Sequence, residues 1–224
     1  MRSALGDVVA SAYLHGAVCF DNPPGWVLDL DFHVLLHRPL ADDELAAVRA
    51  LHLRLAPLDL DGYYLQLDDA RRATPPRSQL KVFPRNVREL FDGPVDHAWA
   101  LHRAHAHAGR VHVLDGLHPR EVVPVPTWDE LAQALASEAG FVLAHPEHPE
   151  YGVLQACRIT YSRRTRDVVL SKWDAARWAM DELPDLRPPI EAAVRAYTDA
   201  LEDGDAELLH GAWPEVVALL EPTP

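Results

Sequence analysis

Only two cysteines stand in the 224 residues, Cys19 and Cys157, and they are far apart, with no metal-ligand spacing between them. The chain therefore suggests neither a disulfide framework nor a thiolate zinc site, and a reducing compartment suits it. Long apolar runs are missing as well. No stretch approaches the roughly 20 residues of a membrane-spanning helix, and Met1–Gly16 lacks a basic start followed by an unbroken apolar segment. The expectation is a cytoplasmic protein with no membrane partner. There is no internal repeat and no low-complexity tract. Positive charge is scarce: 21 Lys and Arg against 34 Asp and Glu give a formal net charge of −13. A nucleic-acid backbone demands a basic surface to replace its counterions, so no nucleic-acid partner is expected. A cationic small molecule fits this balance, although acidity also serves solubility alone.

What is present is ordinary globular material, 48% hydrophobic and 25% charged, in a length that can hold two modest domains. Alternation over Val27–Leu36 predicts a strand with Leu28, Leu30, Phe32, Val34 and Leu36 on one side. Asp29, Asp31 and His33 then share the other. Asp42 is placed as the cap of a helix in which Leu45, Val48, Leu51 and Leu55 recur every three to four residues. Leu60–Leu67 reads as a tyrosine-rich strand, a loop follows at Thr74-Pro75-Pro76, and Arg110–Leu114 is a further strand candidate. Beyond Pro124 the texture is wholly helical. Thr127 and Glu130 form a capping-box signature, and helices are expected over Tyr151–Arg164, Lys172–Leu183, Pro189–Leu201 and Asp205–Leu220. The predicted fold class is α+β: a mixed sheet flanked by helices over residues 1–122, then an all-α bundle over 123–224.

Two carboxylates one residue apart on a strand point the same way, so Asp29 and Asp31 can converge on one hard cation, for which Mg2+ is the natural choice. Read without further context, the same pair is an ordinary solvated strand face. Lys172 follows Ser171 at a helix start, where the dipole disfavours a cation unless an anion such as phosphate binds there; otherwise it extends into water. Arg158 shares a helical face with Leu154 and Tyr161 and needs an anionic partner, either a phosphate or an acidic side chain.

The neighbourhood of these residues resembles the aminoglycoside adenylyltransferase family of nucleotidyltransferases, the streptomycin/spectinomycin-modifying type. The resemblance runs in collinear order through most of the chain. It begins at Tyr13-Leu14-His15-Gly16-Ala17, then Leu28-Asp29-Leu30-Asp31, the Pro39–Leu55 helix, Leu60–Leu65 and Asp96–Arg103. It is closest over Cys157–Tyr161 and Ser171–Ala179. The resemblance implies a nucleotidyltransferase domain and a helical bundle, with ATP and the acceptor bound in the cleft between them. It also implies Mg2+ on Asp29 and Asp31, nucleotide contacts at Gly16, Ala17, Arg158 and Lys172, and transfer of AMP from ATP to an aminoglycoside hydroxyl, a resistance activity. Asp61 matches a position where these enzymes carry a glutamate general base; its other readings are a third metal ligand or a turn residue before Gly62. Two departures stand out. Ala17 and Leu28 each replace a serine, and losing a hydrogen bond to a charged phosphate costs about 1.5 to 3 kcal/mol. The alternative reading is accordingly a catalytically weakened nucleotide-binding or regulatory protein on the same scaffold.

Other residues remain open. His97, His102, His105, His107 and His112 contain no pair at the i,i+4 separation a helical metal site prefers, so they are expected to be solvated. Trp99 and Trp128 either stack on a ligand or fill the core. Glu147 and Glu150 either grip the acceptor's ammonium groups or serve a helix start. As the candidate substrate contacts we take Trp99, Glu147 and Glu150. A monomer or weak dimer is expected.

Overall fold

The computed structural model describes residues 5–55, 58–72, 77–82, 93–94, 98–198 and 200–221. They form two units: residues 1–21 with 27–126, and residues 22–26 with 127–224. The sequence reading places the short 22–26 segment in the first domain and the division at residue 122.

In the first unit, β1 (Val9–His15) leads through a 3-10 turn over Gly16–Cys19 to β2 (Leu30–Leu36), its antiparallel partner. Helix α1 (Asp42–Arg54) then crosses to β3 (Leu60–Gln66), which runs parallel to β2, as such a crossover allows. A short α2 (Leu67–Ala70), β4 (Arg77–Val82), β5 (Gly93–Pro94), α3 (Trp99–His107) and β6 (His112–Gly116) complete it. The strands form one mixed six-stranded sheet in the order β5-β4-β3-β2-β1-β6.

Side-chain alternation assigns the two faces. Phe32, Val34 and Leu36 of β2 join Tyr64, Leu80, Val82 and Val48 of α1 in one buried cluster. Tyr13, Leu35, Tyr63, Leu65 and Trp99 of α3 fill the other. Both faces are thus covered, and the side that carries His33 and Leu35, each 0% exposed, faces protein. Several expectations need correction. The strand begins at Leu30, leaving Leu28 52% exposed in the approach and Asp29 just outside the ladder. Ala41 is the N-cap of α1, with Asp42 as its first helical residue, and the Glu44 carboxylate accepts from the Ala41 N–H at 2.8 Å. β4 is additional to the predicted strands, and β6 lies two residues beyond the Arg110–Leu114 candidate. The Thr74-Pro75-Pro76 loop and His97 lie outside the described residues.

The second unit is helical: α4 (Trp128–Ala144), α5 (Pro149–Thr165), α6 (Lys172–Glu182), α7 (Arg187–Tyr197), α8 (Asp205–Gly211) and α9 (Trp213–Leu220). Thr127 caps α4 as expected: its backbone N–H donates to Glu130 at 2.7 Å, and its hydroxyl accepts from the Glu130 N–H at 3.3 Å. Helix α5 is buried around nearly its whole circumference from Gly152 to Ser162, the signature of a central helix. Gly152 lets α9 approach: a Cβ there would lie 2.6 Å from the Trp213 ring. The helix predicted over Asp205–Leu220 is two, broken around Ala212 with Pro214 in the first turn of α9, where the missing N–H costs nothing. Arg195 and Asp205 tie α7 to α8 through two hydrogen bonds of 2.9 and 2.5 Å. That pairing holds the Asp205 carboxyl down at about 2.

Candidate active site

Three strands bring the first unit's acids together. Asp31 sits in β2 beside Asp61 of parallel β3 and opposite His15 of β1. The next row inward is Tyr13, His33, Tyr63 and Lys81, in register across β1, β2, β3 and β4. All of these belong to the sheet face that packs against α3. Gly16, the first residue after β1, lies in the left-handed region at φ +71°, and a Cβ on it would lie 1.9 Å from Oδ2 of Asp31. The absent side chain is therefore a requirement of the Asp31 carboxylate's position. Asp29 precedes the strand, half-buried.

Asp61 accepts a hydrogen bond from the Lys81 ammonium, which also lies 4.1 Å from the Tyr63 ring centre. Burial raises the Asp61 pKa and the Asp29 charge adds to the rise, while Lys81 opposes it. Mutual repulsion between these carboxylates, and a side-chain-free cradle against one of them, fit a hard divalent cation with oxygen ligands. Cys19, buried in the turn after Gly16, has its thiol pushed up to about 11 by burial, and Cys157 rises to about 12 for the same reason. Both cysteines are free thiols, and burial disfavours the thiolate form of each.

In the second unit Ser171 caps α6, its hydroxyl accepting from the Asp174 N–H at 3.0 Å, and Lys172 is the first helical residue. Its ammonium donates to the Tyr197 hydroxyl at 3.1 Å and lies 4.5 Å and 5.0 Å from the ring centres of Tyr151 and Tyr197. The ammonium is thus held by aromatic faces and a neutral oxygen rather than reaching into water. Arg158 is half-buried one helical repeat from Leu154 and close enough to Tyr151 to lower its pKa, against the larger rise that burial causes. Neither cation makes an ion pair among the described residues, which leaves both able to receive an anion. Trp26 packs on the same aromatic group, 5.0 Å from Tyr197 and 5.2 Å from Trp173.

The remaining candidates separate. Trp99 is 1% exposed in the core, its ring edge-on to His33, so the expected ligand contact is corrected to a packing role. Glu147 is exposed at the turn before α5, and Glu150 is half-buried in its first turn, 4.0 Å from His148. Ala17 lies half-buried in the 3-10 turn. The expectation of solvated histidines fails for three of the run, of which His107 is half-buried and donates from its ring to the Val123 carbonyl at 2.9 Å. His105 is buried, and half-buried His102 stands 4.4 Å and 5.0 Å, ring centre to ring centre, from His15 and His33. Packing α3 on the sheet creates this cluster. The one sequence signal was the placement of His33 on the Asp31 side of β2, which cannot reveal what α3 supplies.

Residues 122–219 match the family described as aminoglycoside adenylyltransferase, C-terminal domain. It is the family that the sequence itself resembles. In solved structures the chain is similar to the spectinomycin adenyltransferase AAD(9) from Enterococcus faecialis, crystallised with ATP and spectinomycin. The TM-score is 0.77 at 16% identity, covering 99% of this chain and 95% of that one. The likeness shows a shared fold over both units, and the expected α+β class holds. No curated protein sequence matches the chain.

Proposed function

We propose that the protein is a nucleotidyltransferase that moves AMP from ATP to a hydroxyl of a small cationic acceptor, an aminoglycoside. The observation that carries this reading is the Asp31 carboxylate seated against side-chain-free Gly16, in register with Asp61, in a chain whose helical segment matches the aminoglycoside adenylyltransferase C-terminal domain family. ATP as co-substrate and an aminoglycoside as acceptor are supported by the ligands named for the similar spectinomycin enzyme.

In the proposed reaction the acceptor oxygen attacks the α-phosphorus of ATP. The bond to the bridging β-phosphate oxygen breaks, and pyrophosphate leaves with its electron pair. The acceptor's proton passes to Asp61, whose raised pKa suits a base better than an ordinary aspartate. Asp29 and Asp31 are the residues that would hold Mg2+, which supplies electrostatic stabilisation of charge on the phosphates. Arg158 and Lys172 neutralise the triphosphate, the latter adding the backbone N–H groups of the α6 N-terminus. Gly16 and Ala17 approach the nucleotide through backbone. Glu147 and Glu150 attract the acceptor's ammonium groups, and the net charge of −13 favours encounter with a polycation. Both cysteines are free, and among the described residues no helix is long and apolar enough to cross a membrane; a cytoplasmic monomer or weak dimer is the working form of this proposal.

Asp31→Asn tests the mechanism. Pyrophosphate release with ATP, Mg2+ and an aminoglycoside panel should fall at least about 1,000-fold, in line with loss of a transition-state electrostatic contact, while the circular dichroism spectrum stays unchanged. Turnover within threefold of the parent would remove the mechanism. A second reading, nucleotide binding without efficient transfer, draws on the missing hydroxyl at Ala17. Calorimetric ATP binding with no pyrophosphate release from any acceptor would favour it.

A further inference from the structure

The histidine cluster under α3 has chemistry that the nucleotidyl-transfer reading does not use. His15, His33 and His102 each offer a ring nitrogen, and these three atoms lie within 4.8 Å of one another. His15 and His33 stack at 4.3 Å between ring centres. They are 5% and 0% exposed, and Nε2 of each is buried with no hydrogen-bond partner. Leaving a buried ring nitrogen without a hydrogen bond costs about 1 to 3 kcal/mol, and two such atoms on stacked neighbouring rings need a reason. We propose that His15, His33 and His102 form a binding site for a divalent transition-metal ion, Zn2+ or its relatives, that fastens α3 to β1 and β2.

Three neutral imidazoles are a borderline-soft donor set, matched to Zn2+, Co2+, Ni2+ or Cu2+ and unlike the hard oxygen donors that hold Mg2+. Bonds of about 2.0 to 2.1 Å in a tetrahedral arrangement place the nitrogens about 3.4 Å apart. The rings therefore close by about 1.4 Å or less at the widest pair, a side-chain adjustment. The support around one ligand is already built. Tyr13 Oη lies 3.1 Å from Nδ1 of His33, so a proton on Nδ1 donated to the hydroxyl leaves the Nε2 lone pair for the metal. The ligands come from two adjacent strands and the helix packed on them, so the ion would cross-link this face of the sheet. The site is distinct from the Asp29 and Asp31 pair in ligand chemistry and does not depend on the transfer reaction.

Untagged protein expressed in zinc-supplemented medium, stripped with a chelator and titrated with Zn2+ alone, should bind one ion per chain with a rise in melting temperature. Zinc-edge X-ray absorption should then show three imidazole nitrogens at about 2.0 to 2.1 Å. Co2+ in its place should give visible bands of four- or five-coordinate intensity. His102→Ala, on a half-buried helical position, should abolish the stoichiometric site, and Tyr13→Phe should weaken it about 10- to 100-fold. No Zn2+, Co2+, Ni2+ or Cu2+ binding to the parent protein would overturn the proposal. So would an absorption spectrum dominated by oxygen ligands, or full binding by a folded His102→Ala variant, which would mark the ion as an adventitious guest of surface histidines.

Discussion

Gly16→Ala isolates the relation between a backbone conformation and a carboxylate. The substitution has two effects of different size. Holding an L-residue at φ +71° costs about 1 to 2 kcal/mol. The new Cβ also lies 1.9 Å from Oδ2 of Asp31 and must reach about 3.2 Å, so something moves by about 1.3 Å. The obstacle is the tip of a half-buried side chain, and rotation of the Asp31 carboxylate is the least costly relief. Stability should therefore fall by only the conformational amount. Misplacing a reacting group by about 1 Å costs on the order of 100-fold in rate, so transfer should fall by that factor. Gly109→Ala supplies the control: its φ is +75° and nothing lies within 4 Å of its Cβ. Urea denaturation should show both variants losing about 1 to 2 kcal/mol, and pyrophosphate release should drop only for Gly16→Ala. Equal transfer rates in the two variants would refute the reasoning that Gly16 sets the position of Asp31.

The pH profile of kcat/KM tests Asp61. A base works deprotonated, and burial with Asp29 alongside raises its pKa, so activity should be lost as pH falls through a value above the ordinary aspartate value of about 3.9. Asp61→Asn should lower activity and erase that limb; an unchanged limb assigns the ionisation elsewhere. Gly152→Ala pits about 1 kcal/mol of helix propensity against overpacking of about 1 to 3 kcal/mol, because its Cβ meets the Trp213 ring at 2.6 Å and Val142 at 3.3 Å. A net loss of about 1 kcal/mol in urea denaturation is expected, and a gain would show that α5 and α9 are not closely packed there.

Much of the architecture was legible because local rules and tertiary needs agree. Thr127 and Glu130 announce the start of α4, and the alternation of Phe32, Val34 and Leu36 marks one of the two buried faces of β2. Where the two diverge, sequence reading falters. The alternation extends back to Leu28, yet the ladder begins at Leu30, because hydrogen bonding to β3 starts with the Leu30 N–H donating to Asp59 at 2.8 Å. The Asp205–Leu220 run has continuous helical composition, but the chain turns near Ala212. Trp99 illustrates a further limit: a tryptophan's pattern does not say whether its ring meets ligand or core.

The sequence by itself determined the α+β class, the helical character of the second unit, the proximity of Asp29 and Asp31 along one segment and the helix start at Lys172. These follow from periodicities and caps that act within a few residues. Only the tertiary structure decided that Asp61 stands beside Asp31, that Lys81 reaches Asp61, that Tyr151 and Tyr197 enclose the Lys172 ammonium, and that His102 meets His15 and His33. Those pairings span gaps of tens of residues and depend on strand order and on how helices seat against their own unit, which no local spacing encodes.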